Sequence, residues 1–135
     1  MHLVVDANIL FSALVAGKLT DLFLSPKIEL VAPELLFEEL KKHSEELQQK
    51  SKLSEEDFQI VLKILERRVT VIPLKEFDHL FDKAEELLGE HVKDAPYVAL
   101  ALQLRCPFWT YEKRLLKTKE IESLTTEEVA RIIKR

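Results

Sequence analysis

Residues His2 to Ala16 read His-Leu-Val-Val-Asp-Ala-Asn-Ile-Leu-Phe-Ser-Ala-Leu-Val-Ala, and this stretch decides the fold class. Its first four residues form a short apolar run with the length and composition of a strand buried on both faces. Asp6 breaks the run. From about Asn8 to Ala16 the apolar residues continue as a helix, with Gly17 as its stop. A buried strand that runs straight into a helix is the opening half of a βαβ unit.

The alternation continues along the chain. A second short helix spans about Leu19 to Leu24 and ends before Pro26, and Ile28 to Val31 is the next strand. Pro33 then opens a long helix at its favoured first-turn position. Ser54, followed by acids, caps a helix that carries Phe58, Val61, Leu62 and Leu65 on one face. Val69 to Ile72 is a β-branched strand stopped by Pro73, and Phe77, Leu80, Phe81, Ala84 and Leu88 repeat the helical period. Ala95 to Leu104 is apolar almost all round, which predicts a helix buried on most sides. Pro107 to Thr110 forms a fourth strand and Ile121 to Leu124 a short fifth. Thr125 and Glu128 make a capping box for a last helix bearing Val129, Ile132 and Ile133. The pattern predicts one α/β domain over residues 1–135: three layers, α/β/α, around a mainly parallel sheet of four or five strands.

Composition narrows the function classes. The 135 residues are 47% hydrophobic and 33% charged, a globular balance. No apolar run approaches the ~20 residues that span a bilayer, and the start lacks the pattern of a signal peptide. Cys106 is the only cysteine, so no internal disulfide forms. A reducing cytoplasm suits the chain, with Cys106 a small buried hydrophobe. Amide side chains are few, one Asn and four Gln, as in heat-adapted proteins. The net charge of -4 argues against nucleic-acid binding by charge alone, unless bound cations invert the field where the acids gather.

Open α/β sheets bind ligands beyond the carboxyl ends of their strands, and three acids fall there. Asp6 follows the first strand, Glu112 lies two residues after Thr110 at the end of the fourth, and Asp94 opens the buried helix between. Each has a purely structural alternative: a turn, a solvated charge, and a helix N-cap ahead of Pro96. Glu39 joins them through helical geometry. At about 100° per residue it borders the stripe of Leu35, Leu36, Leu40 and Leu47, whereas Glu38 points nearly the opposite way. His43 lies inside that stripe and reads as a core histidine. Carboxylates sharing one pocket repel each other, and hard cations such as Mg²⁺ or Mn²⁺ neutralise them. Such an ion polarises a phosphoryl oxygen and activates water. The lone Cys106 and scattered His residues exclude a zinc site, and Gly17 and Gly89 alone make no phosphate loop.

Four motifs in order then resemble those of the PIN-domain family. They are Val4 to Leu14, Pro33 to Leu40, Lys93 to Ala101 and Trp109 to Leu115, read as Val-Val-Asp-Ala-Asn-Ile-Leu-Phe-Ser-Ala-Leu, Pro-Glu-Leu-Leu-Phe-Glu-Glu-Leu, Lys-Asp-Ala-Pro-Tyr-Val-Ala-Leu-Ala and Trp-Thr-Tyr-Glu-Lys-Arg-Leu. The resemblance implies a metal-dependent endoribonuclease in which Asp6, Glu39, Asp94 and Glu112 are catalytic and hold Mg²⁺ or Mn²⁺ directly or through water. It implies Asn8 and Thr110 as supporting hydrogen-bond partners, RNA as substrate, a homodimer, and an antitoxin protein as partner where the enzyme is the toxin of a toxin–antitoxin pair. Glu112 departs from the family, which usually carries Asp there; its extra methylene moves the carboxylate by about 1.5 Å. Lys113, Arg114 and Lys117, just beyond, are candidates for RNA phosphate contacts, with Arg131, Lys134 and Arg135 behind them.

Two rival readings fit parts of the sequence. A PIN-like module that binds RNA or protein without efficient cutting is kept open by Glu112. A receiver-like signalling domain also gathers acids at strand ends, but it pairs acids after its first strand, where Asp6 stands alone.

Overall fold

The apolar run at the start of the chain forms β1 (His2–Val5), the central strand of the sheet, with Leu3, Val4 and Val5 fully buried. The computed structural model describes residues 1–16, 20–89, 92–112 and 119–134. Its other strands are β2 (Glu29–Pro33), β3 (Val69–Ile72), β4 (Phe108–Trp109) and β5 (Ser123–Leu124). All four pairings are parallel, in the order β3-β2-β1-β4-β5. This differs from the 2-1-3-4-5 order of receiver-like sheets, so that rival is set aside.

Eight helices follow the strands among the described residues: α1 (Ala7–Ala16), α2 (Thr20–Leu24), α3 (Leu35–Lys42), α4 (Ser44–Ser51), α5 (Glu55–Arg68), α6 (Phe81–Leu88), α7 (Ala95–Leu104) and α8 (Thr126–Lys134). They cover both faces of the sheet, as two adjacent residues of β4 show. Phe108 stacks on Tyr97 of α7, with ring centroids 6.3 Å apart. Its neighbour Trp109 points the other way, against Phe23 of α2, and its indole N–H donates to Thr126 Oγ1 of α8 at 3.0 Å. The result is the three-layer α/β/α arrangement, with α6 and α7 on one side and α2, α5 and α8 on the other. Among the described residues no helix is long and apolar enough to cross a membrane.

Local chemistry accounts for most element ends. Ser54 caps α5 by accepting from the Asp57 N–H at 3.1 Å, and three acids follow in the first turn. Thr125 and Glu128 close the expected capping box, each backbone N–H donating to the other's side chain at 3.2 and 3.1 Å. Arg105 takes a left-handed conformation after α7 (φ 52°), and Cys106 N–H donates back to the Ala101 carbonyl. Cys106 is half-buried rather than fully buried, and burial raises its thiol pKa.

Three expectations are corrected. Pro33 does not open a helix; it ends β2, paired with Ile72 of β3. The β1–β2 pairing stops two residues earlier, at Val4–Val31, so the missing Pro33 N–H faces no ladder acceptor on that side. The long helix after it is two shorter ones, broken at His43. Phe77 and Leu80 pack as expected but precede α6: Phe77 lies between two tight 3₁₀ turns, Leu74–Glu76 and Asp78–Leu80, and Leu80 ends the second. The expected stop at Gly17 lies outside the described residues.

The Ser54 cap is testable. Ser54→Ala should lower unfolding free energy by about 1 kcal/mol, read as a lower denaturant midpoint at unchanged m-value. A midpoint within error of the wild type would show that this hydrogen bond does not hold the start of α5.

Candidate active site

The strand order reverses between β1 and β4, which makes the gap at their carboxyl ends the natural ligand crevice. Asp6 is locked into that point. Its N–H donates to the Trp109 carbonyl of β4 at 3.1 Å, and its carbonyl accepts from Ile9 and Leu10 in the first turn of α1. The side chain is 5% exposed, and Oδ2 accepts from the Thr110 hydroxyl at 2.8 Å. Thr110, itself buried, accepts in turn from the Glu112 N–H at 3.0 Å. Burial pushes the Asp6 pKa up and outweighs the opposing pull of Thr110 and of the Asn8 and Ala7 amides; the charge of Glu112 adds to the rise.

Three acids from distant parts of the chain line one cavity of about 320 Å³: Asp6, Glu39 of α3, and Asp94 at the start of α7. The helical argument that separated Glu39 from its neighbour holds, since Glu39 is half-buried against the cavity and Glu38 is exposed. Burial raises the Glu39 pKa first, then the charge of Asp6; His43 pulls it down, Asp94 adds to the rise, and Lys42 opposes it least. Asp94 occupies the N-cap position of α7, yet its side chain makes no capping hydrogen bond there and lines the cavity instead.

The structure does not bring every expected residue to this cavity. Glu112 lies outside its lining, although near enough for its charge to act on Asp6. Asn8 is exposed on the rim, and it is its backbone amide that bonds Asp6. Lys113, Arg114, Lys117 and Arg135 lie outside the described residues. Arg131 and Lys134 are exposed on α8 and do not line the cavity. His43 is no core histidine. The break between α3 and α4 turns it outward onto the rim, where it meets Phe11 edge-on at 6.1 Å and stands 3.8 Å from Glu46.

Three further lining residues escaped the sequence reading. Lys42 and Lys93 carry positive charge at the rim, and Tyr97 forms part of the wall. Helical spacing held the clue: Lys42 is three residues after Glu39, and Tyr97 three after Asp94.

Tyr97 bears on which ligand fits. It is 2% exposed, and among the described residues its hydroxyl is the one buried side-chain polar atom without a hydrogen-bond partner. Burial, with Glu39, Asp6 and Asp94 nearby, drives its pKa far above that of an ordinary phenol, so it remains a neutral donor. Buried polar groups normally find partners, so this hydroxyl is suited to donate to an oxygen acceptor in the cavity. The donor set is all oxygen and fits a hard divalent cation. Among the described residues no three or more acids or His and Cys side chains form a ready cage, so contact through the ion's waters suits the open spacing.

Comparison with known proteins identifies the family. The family model described as PIN domain matches residues 4–132. No curated protein matches the chain.

The raised Glu39 pKa has a signed consequence. Above the ordinary value of 4.5, the unfolded chain gives up this proton while the folded chain still binds it, so the group's contribution to stability falls as pH rises through that window. In metal-free buffer Glu39→Gln should therefore raise the melting temperature at pH 8, with the gain closing as pH falls toward 4.5. A wild type more stable than the variant at pH 8 would show Glu39 to be stabilised by its surroundings rather than strained.

Proposed function

The chain belongs to the PIN-domain family, a nuclease-type family, and from that premise we propose that it is an endoribonuclease dependent on Mg²⁺ or Mn²⁺. The observation that carries this reading is the meeting of Asp6, Glu39 and Asp94 around one cavity at the switch point of the sheet. These three would hold the ion, directly or through its waters, with Glu112 acting from behind Asp6. When bound, the ion would offset the carboxylate charge, polarise the phosphodiester and lower the pKa of water.

The protein's own groups have definable tasks. Thr110 fixes the Asp6 carboxylate by donating to Oδ2, so that its remaining oxygen capacity is turned to the cavity. Tyr97, a neutral donor with no partner among the described residues, is suited to donate to a non-bridging phosphate oxygen. Lys42 and Lys93 stand where phosphates on either side of the cleaved bond would pass, which gives this acidic chain its local attraction for RNA. The biological setting we propose is the toxin of a toxin–antitoxin pair, working as a homodimer in the cytoplasm.

The position of Glu112 outside the cavity favours a second reading, a PIN-like module that binds RNA and cuts it weakly or not at all. A fluorescent single-stranded RNA incubated with Mn²⁺ or Mg²⁺ distinguishes the two. Wild type should cleave only with metal, and Asp94→Asn should lose about a hundredfold or more. Tyr97→Phe should lose about tenfold, the worth of one hydrogen bond to a charged oxygen, without change in melting temperature. Equal cleavage by wild type and Asp94→Asn would overturn the assignment; binding with metal but no cleavage would establish the second reading.

A further inference from the structure

A second cavity, of about 640 Å³, opens beside the acidic one between α1 and α4 and shares two wall residues with it, Asn8 and His43. Three rings line it. Phe11 and His43 meet edge-on at 6.1 Å, and Tyr111, 49% exposed, stands at the end of β4 beside the Thr110 that holds Asp6. At the α4 side lie Glu46 and Lys50, paired at 2.8 Å. The volume is that of a small-ligand site.

We propose that this cavity takes one unpaired nucleobase of the RNA strand, adjacent to the phosphate held among the acids. The inference rests on the ribonuclease reading for its ligand and adds a base-binding subsite beside the acids. Unpaired bases are recognised by stacking on Phe, Tyr and His rings and by hydrogen bonds to their edges, and a base locked in a duplex offers neither. The polar side of the cavity decides between a base and another phosphate. Lys50 is already paired with Glu46, whose carboxylate repels an anion, whereas a base edge carries donors and acceptors together and meets both groups. The shared wall at Asn8 and His43 sets the two cavities side by side, so neighbouring groups of one strand could occupy both.

The test is binding, kept apart from cleavage. Fluorescence anisotropy with the Asp94→Asn chain compares a short single-stranded RNA with strands of equal length, each carrying one abasic position. One abasic position, or two neighbouring ones, should weaken binding about tenfold. Tyr111→Ala should erase that difference and Tyr111→Phe should keep it. Abasic strands that all bind like the intact one, or a Tyr111→Ala chain that binds intact and abasic strands equally weakly while wild-type Tyr111 discriminates nothing, would overturn the subsite. So would Tyr111-dependent self-association without any abasic effect, which assigns the cavity to a second copy of the chain. Base-dependent binding by a chain whose wild type cleaves no RNA would remove the nuclease reading and leave the subsite. Cleavage blind to the missing base would do the reverse.

Discussion

The structure depends on a carboxylate buried where the sheet reverses its strand order. Asp6 ties β1 to β4 through its backbone N–H, starts α1 through its carbonyl, and receives the Thr110 hydroxyl on its side chain. Few positions serve three elements at once. Burying a charged group is costly unless it is hydrogen-bonded, and the upward pKa of Asp6 shows that the bonds it receives do not fully offset the loss of water. The cost falls at the centre of the sheet, where the surrounding packing can bear it. Leu3, Val4, Val5, Phe108 and Trp109 are all fully buried around it.

The other acids add to the same imbalance. Burial raises the pKa of both Glu39 and Tyr97, and the neighbouring carboxylates add to it: Asp6 and Asp94 on Glu39, and all three acids on Tyr97. Lys42 and Lys93 line the same cavity and set positive charge beside these acids. Folds keep such strain where it serves function. An acidic protein with a net charge of -4 can meet an anionic polymer at this place, because a cation in the cavity would reverse the local field.

Much of this was legible in the residues, for reasons that differ between elements. The strands are short β-branched or apolar runs flanked by turn residues, and all five form near where the pattern puts them, with β2 shifted forward through Pro33 and β4 and β5 trimmed at their ends. Glu39 separates from Glu38 because helical periodicity survives in a helix as short as α3. The same logic failed at His43. No Gly or Pro marks the break between α3 and α4, so extending one apolar stripe through it placed an outward histidine in the core. Pro33 fits a helix start and a strand end equally well from its missing N–H, and only the pairing partners decide. Tyr97 is hidden for the opposite reason, since an aromatic in an apolar helix looks like core. Its ring is core, packed on Phe108, while its hydroxyl faces the acids.

The central claim is that Asp6, Glu39 and Asp94 jointly hold a divalent ion, and calorimetric titration of the purified chain with Mn²⁺ tests it most directly. In two buffers of different ionisation enthalpy, the account predicts saturable binding that releases protons, because carboxyls held above their ordinary pKa must ionise to accept the metal. Asp6→Asn should abolish that binding while leaving the chain folded. No saturable binding, or binding of equal strength in wild type and variant, would contradict it.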